Sequence, residues 1–298
     1  MFRARPFLSV AAVLYLVVAV RADEIVFASY NLENYQRQEN HQTGKRDAAA
    51  IKTEDAVAAL IAIIKEIHPD ILGVCEMGSR ADFEDFKTHL RDSGLDYPDS
   101  EYVEAADPDR HLALLSRFPI KARNSQTDVA FAIDGRAEKV RRGFLDVTVA
   151  INPGTRLRLI GAHLKSKREV AEGQALLRRQ EAHLLRAHLD SILAADDKAP
   201  LLVYGDFNDT KNEPPIREIM GPKKSAHFLT DLWLKDNVGD RWTQYWKTAD
   251  LYSRIDYIFV NRVLLPDIVM PKCRIQRSEP GNLASDHRPI IATIRVAK

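Results

Sequence analysis

The sequence predicts an α/β fold with mixed sheets, and three observations carry that prediction. Runs of Val, Ile and Leu of strand length alternate with longer segments whose apolar residues recur at helical spacing. Several of these runs are separated only by short turns, whereas parallel neighbours need a long crossover, so parallel and antiparallel pairs must coexist. No internal repeat, low-complexity tract or linker interrupts residues 23–298, which read as one domain.

The elements follow in order. EIVFASYNL (24–32) is a strand, followed by a polar stretch rich in Gln, Asn and Lys. Val57, Leu60, Ile61, Ile64 and Ile67 then recur with the period of a helix. HPD at 68–70 ends it, because proline disfavours helix at the residue before it. ILGVCE (71–76) is a second buried strand. HLALLSRFPI (111–120), RRGFLDVTVAI (141–151) and RLRLIGAHL (156–164) form a set of strands divided by turn residues such as NPG at 152–154. A long helix is expected from about residue 170 to 193, with Leu177, Leu184, Leu185, Leu189, Ile192 and Leu193 on one face. His188 lies beside that face and reads as packed or solvated rather than as a ligand. PLLVYGDFN (200–208), RIDYIFVN (254–261) and PIIATIRV (289–296) complete the strands. The intervals 80–109 and 210–252 read as loops. The second holds Trp233, Trp242, Tyr245 and Trp246, which would stack on bases or sugars if exposed, and for which a core position is the simpler expectation.

The N-terminus is a separate unit. MFRARP carries two arginines, an uncharged run extends from Phe7 to Val20, and small residues precede Asp23. A basic start, a short apolar stretch and small residues mark a secretory signal peptide over 1–22, cleaved after Ala22. The run is shorter than the roughly 20 residues a membrane span needs, which disfavours an uncleaved anchor. A secreted or periplasmic location follows as an expectation. Cleavage removes Arg3, Arg5 and Arg21 from the 43 basic residues and leaves the 42 acidic residues in slight excess. Proteins that hold long nucleic acid through charge alone show a basic excess, so any polyanion contact here must come from a local patch. Two cysteines, Cys75 and Cys273, make no disulfide framework, and Cys75, inside an apolar run, reads as a small core residue.

The chemistry is concentrated where apolar runs stop. Asn31 and Glu33 end the first run, Glu76 the second, and His163 ends RLIGA. Asp206 and Asn208 close LLVYG, Asp256 sits inside RIDYIFV, and Asp286 and His287 precede PIIATI. Any one of these has an ordinary explanation in turn chemistry. Together they make an oxygen-rich set without a thiolate ligand, and strand ends on one rim of a sheet converge. Such a set suits a hard cation, Mg²⁺ or Mn²⁺, and metal-assisted phosphoryl transfer to water. Asp256, the one acidic residue in a late apolar strand, is the natural partner for an imidazole that must be oriented. Lys165, Lys167 and Arg168, and likewise Arg141 and Arg142, read either as a phosphate patch or as solvated turns.

SYNLEN, LGVCEM, AHLKSK, YGDFND, SRIDYIFV and SDHRP, in that order, resemble the motifs of the endonuclease/exonuclease/phosphatase superfamily. This deoxyribonuclease I-like group includes abasic-site endonucleases, neutral sphingomyelinases and inositol polyphosphate phosphatases. HLKSK is similar to a stretch of its secreted bacterial nucleases. The resemblance covers nearly all of 23–298 and implies a four-layer α/β sandwich, two mixed β-sheets packed face to face with outer helices. It implies Glu76, Asp286 and Glu33 as metal positions, although the superfamily often has Asp where Glu33 stands. His287 would be general base or a polarised group against the phosphate, held by Asp256. Asp206 and Asn208 would position the water and an oxyanion, His163 would contact a phosphate oxygen, and Asn31, Lys165 and Arg142 would contact substrate. The implied activity is a secreted, Mg²⁺-dependent phosphodiesterase, a nuclease acting on DNA or RNA as a monomer. The alternative is a phosphatase or sphingomyelinase-like hydrolase of a small or lipid phosphoester, which would need an apolar hairpin or recognition loop.

Overall fold

The apolar runs are nearly continuous rather than alternating, which requires burial on both faces of each sheet. A computed structural model describes residues 23–36, 51–279 and 281–296 and shows that arrangement. The expected signal peptide, 1–22, lies outside the described residues. One six-stranded sheet has the order Arg274–Ile275, Ile290–Val296, Asp23–Tyr35, Ile71–Met77, His111–Ser116, Asp99–Val103. The other has the order Thr230–Asp231, Asp256–Val260, Leu201–Asp206, Thr155–His163, Phe144–Asn152, Ile120–Arg123. Each contains one parallel pair, Asp23–Tyr35 with Ile71–Met77 and Leu201–Asp206 with Thr155–His163.

Three apolar clusters define four layers. Between the sheets lie Phe27, Leu114, Leu145, Leu159, Leu202, Tyr204 and Ile258. Outside the first sheet, Leu60, Ile64, Phe83 and Phe86 of helices Glu54–Ile67 and Arg80–Asp92 cover Tyr30, Leu72 and Leu115. Outside the second, helices Gln174–Ala195 and Pro214–Met220 bring Leu185, Leu189 and Ile216 onto Ile160, Val203 and Phe259. The fold is therefore the α/β sandwich of two mixed sheets with outer helices. Tyr204 sets how closely the sheets approach: its ring packs edge-on against Phe27 and fills the space over Gly73, where a Cβ would lie 2.2 Å from it.

Three expectations are corrected. The long helix begins at Gln174, not near 170, because Gly173 takes φ 81 and breaks the helical path. The interval 80–109 is not a loop. Ser79 and Asp82 form a reciprocal capping box that starts helix Arg80–Asp92, and strand Asp99–Val103 follows. The aromatics of 210–252 are not core. Trp233 and Trp246 are exposed, the former beneath Lys211, Arg241 and Arg254. Tyr245 stacks on Tyr252 at 4.4 Å within the hairpin of strands Gln244–Trp246 and Leu251–Ser253. Cys75 and Cys273 are both free and buried.

Candidate active site

Every strand that carries a predicted site residue delivers it to the same rim. Asp206 is in register with His163 on one side and with Asp256 on the other. Across the sandwich, Asn31 is in register with Cys75, just before Glu76. The strands are irregular at this point: pairing shifts between Asn31 and Tyr35 and between Val74 and Met77. Glu33, Asn34, Glu76 and Asn208 all have φ between 49° and 60°, a left-handed conformation that costs a non-glycine residue of order 1 kcal/mol or more. The bulges turn the Glu76 carboxylate off the strand path and into the cleft.

Asn31 is the hub. Its carbonyl oxygen accepts the Glu33 N–H at 3.0 Å, which fixes the amide orientation. Its Nδ2 donates to Asp206 Oδ2 at 3.1 Å and Glu76 Oε1 at 3.3 Å, and lies 3.4 Å from His287 Nε2. An amide has two N–H bonds, so the two carboxylates take both and His287 Nε2 is only a neighbour. His287 Nδ1 bonds Asp256 Oδ2 at 2.9 Å, while its Nε2 stands 3.7 Å from Asp206 Oδ2 and 3.9 Å from Asp286 Oδ1. His163 Nε2 is 3.6 Å from Asp206 and 3.8 Å from Glu76. Of these groups, Glu76, His163, Asp206 and His287 line a cleft of about 1090 Å³, which Glu33, Asp286, Arg110 and Arg142 also line.

The electrostatics separate the two histidines. Burial depresses both. For His163 the neighbouring charges Arg142, Arg110, His287 and Lys165 act in the same direction, so it is held well below its ordinary value and stays neutral. For His287, Asp256 above all, then Asp206 and Asp286, outweigh burial and hold it well above, so it is an imidazolium at neutral pH. Asp206 is pushed up to about 7, by burial first and the Asp256 charge second, against the opposing pull of His287 and the Asn208 N–H.

Some predicted residues take other positions. Asn208 lends its backbone N–H to Asp206 Oδ1 at 2.9 Å, but its side-chain amide donates to Leu164 O, so its side-chain nitrogen already has a partner within the fold. Lys165 borders the cleft, yet its ammonium is held by the carbonyls of Ser166 and Arg168. Arg142 is buried against Asp107, 2.8 Å away, and also donates to Leu164 O. Glu33 is exposed, and its Oε2 accepts the Asp286 N–H at 3.0 Å. Among the described residues, the trio whose ligand atoms come within 4.8 Å of one another is Asp206, Asp256 and His287, not Glu33, Glu76 and Asp286.

Other contributors were not singled out from the sequence. Thr243 Oγ1 accepts the N–H groups of Ile255 and Asp256, Gln244 donates to Asp286 Oδ2, and Ser285 Oγ ties the last motif to Asn31 O. Arg110 Nε stands 3.6 Å from Glu76, and Lys52 donates to Glu33 O at 3.2 Å. Only Ser285 carried a signal, its place within SDHRP.

A family model described as Endonuclease/Exonuclease/phosphatase family matches residues 28–287, a span that contains every residue of this site. The chain belongs to this family. Compared by sequence with curated proteins, it matches none. Among solved structures it is similar to a truncated TDP2 of Caenorhabditis elegans, with 19% identity over 92% of this chain and 98% of that one and a TM-score of 0.61. It is similar to the human Nocturnin catalytic domain with bound sulfate anion, with 18% identity over 91% and 93% and a TM-score of 0.61. Sphingomyelinase C of Streptomyces griseocarneus gives 16% identity over 92% and 100% and a TM-score of 0.62. At such identities the likeness to these structures is one of fold. The family assignment makes the chain a phosphoester hydrolase.

Proposed function

We propose that this hydrolase is a phosphodiesterase that uses Mg²⁺ or Mn²⁺ and cleaves DNA or RNA, exported after removal of residues 1–22. The observation that supports it most is the Asn31 hub, which brings Asp206, Glu76 and the His287–Asp256 pair into one buried cluster on a cleft. Glu76, with Asp286, would hold the cation. The donor set is all oxygen on that side, which fits a hard divalent ion whose shell is completed by water and substrate. When bound, the ion supplies positive charge to the phosphate.

The chain's own residues do the rest. Asp206, titrating near neutrality, is matched to accept a proton from the attacking water. His287, kept protonated by Asp256, presents Nε2–H to the phosphate and stabilises the charge that develops there. Of the two roles expected for His287, this is the polarised one rather than the base. Neutral His163 contributes a second donor without repelling His287. Arg110, at the same cleft, favours an anionic substrate.

A panel assay of the mature chain with Mg²⁺ tests this. It uses duplex DNA, single-stranded DNA, RNA, bis-p-nitrophenyl phosphate, p-nitrophenyl phosphate and sphingomyelin. Cleavage of a polymer is expected. Activity on sphingomyelin alone would replace this reading with the lipid one. That second reading has an observation in its favour: the hairpin Gln244–Ser253, which joins the site through Gln244, exposes Trp246, Leu251 and Tyr252.

A further inference from the structure

Two short segments next to His163 carry basic residues, and the fold treats them unequally. Arg142 is bound to Asp107, Lys165 to carbonyls of its own loop, and Lys167 stands 3.4 Å from Asp209. Arg141 and Arg168 differ. Both line the cleft, and among the described residues neither guanidinium has a hydrogen-bonding or ionic partner. Glu138 and Glu169 line the same cleft without pairing to either arginine, and Glu169 receives Gln174 instead.

The sheet explains where the two arginines stand. Asp256, Asp206 and His163 are in register on three adjacent strands of one rim. The next strand, Phe144–Asn152, starts on that rim with Phe144 opposite Ala162. The chain before Phe144, which carries Arg141, therefore continues the line one strand spacing, about 4.8 Å, past the His163 strand. Both segments are braced from behind. The buried Glu181 carboxylate accepts the Lys165 N–H at 2.6 Å on one oxygen and the Arg141 N–H at 3.4 Å on the other. Arg178, also buried, donates to Lys165 O and Asp209, and Lys165 Nζ closes the loop on Arg168 O at 2.8 Å. Burial first, then the charges of Arg142 and Arg141, lower the Lys165 ammonium from its ordinary value, as a locally positive corner does.

We propose that Arg141 and Arg168 form a second anion subsite, which takes a phosphate of the substrate next to the one that is cleaved. The inference rests on the phosphodiesterase reading above and deepens it: the cleft favours substrates with linked phosphates over isolated phosphodiesters. A polymer whose scissile phosphate lies at Asp206 and His287, and whose chain runs past His163, brings its neighbouring phosphate to these guanidiniums. Their planar forks match phosphate oxygens, and no carboxylate of the fold competes for them. This is the local patch that a chain without a basic excess needs to hold a polyanion.

The test compares a short single-stranded oligonucleotide with bis-p-nitrophenyl phosphate, whose single phosphate leaves the second subsite empty. Both are assayed with Mg²⁺ on the mature chain. The double variant Arg141→Gln, Arg168→Gln should raise the oligonucleotide KM about tenfold with kcat unchanged, the pattern of lost binding that ground state and transition state share. Its kinetics on bis-p-nitrophenyl phosphate should stay within about twofold of wild type, which also reports that the variant is folded. The slope of log(kcat/KM) for the oligonucleotide against log salt should flatten by about 0.7, the counterion release of one single-strand phosphate contact. Lys167→Gln removes a charge from the same loop but outside the cleft, and should leave both substrates as in the wild type. An unchanged oligonucleotide KM in the double variant, equal losses on both substrates, or an equal loss in Lys167→Gln would overturn the inference while leaving the phosphodiesterase reading intact. So would a wild type that cleaves bis-p-nitrophenyl phosphate and no oligonucleotide. A wild type that cleaves neither would overturn the phosphodiesterase reading itself.

Discussion

Two histidine–aspartate pairs in this molecule have the same length and opposite meanings. His287–Asp256 and His188–Asp146 both measure 2.9 Å. Asp146 also receives Arg158, at 2.8 and 2.6 Å, so that carboxylate is matched by neighbouring donors and has nothing to offer a ligand. His188 further lies parallel to Phe144, with centroids 6.4 Å apart. Among the described residues, no arginine bonds Asp256. Beyond it stand Asp206, Asp286 and Glu76, so the cluster carries more negative charge than its imidazole can cancel. A His–Asp distance is therefore uninformative, and the surplus charge around it distinguishes a site from a strut. A surplus of that kind persists in a folded protein when a ligand is there to compensate it.

That contrast can be broken in several ways. Stripping divalent ions with EDTA should abolish hydrolysis, and Mg²⁺ or Mn²⁺ should restore it. Activity indifferent to chelation would make the surplus charge meaningless. His287→Ala should cost about a thousandfold in kcat/KM, within the range for losing a group that acts on the reacting atoms. A folded variant with full activity would reduce His287 to the standing of His188.

Asp206→Asn should cost about a hundredfold and should also change the pH profile. Because Asp206 titrates near 7 and must be ionised to accept a proton, the wild-type rate should fall about tenfold per unit below that value. The variant should lack this acid limb, and an unchanged limb would assign the proton to another group.

The smallest effect belongs to the other pair. His188→Ala should leave turnover unchanged and lose about 1 kcal/mol of stability, the worth of an ordinary hydrogen bond. Burial raises Asp146, but its bonds from His188 and Arg158 outweigh that and hold it below the usual carboxylate range. Its contribution is then present above the unfolded value of about 3.9 and is lost as pH falls toward the lower folded one. Thermal melts of wild type and His188→Ala should therefore converge in acid, and a gap that persists there would mean His188 acts by packing alone.

The strand ends were readable in the sequence because each is a local event: an apolar run stops and a chemically specific residue follows. His188 was readable too, from its place beside an apolar helical face. The basic residues were not. Lys165, Arg142 and Lys167 look alike in a row of charges, yet Lys165 is held by its own loop, Arg142 by Asp107, and Lys167 lies 3.4 Å from Asp209. The aromatics of 210–252 were misjudged because composition does not say which face of a short hairpin meets solvent.

By itself, then, the sequence determined the α/β class, the two mixed sheets' principal strands, and which acidic, amide and imidazole groups stand at the strand ends that meet at one rim. Those properties depend on residue type and local period, which the chain states directly. Tertiary structure alone decided that Asn31 joins Glu76 to Asp206, that His287 is held above its ordinary value while His163 is held below it, and that Lys52 returns to the acidic rim. Each of these depends on distances between segments far apart along the chain. Protonation in particular follows from the sum of burial and neighbouring charge, which exists only once the sheets have closed.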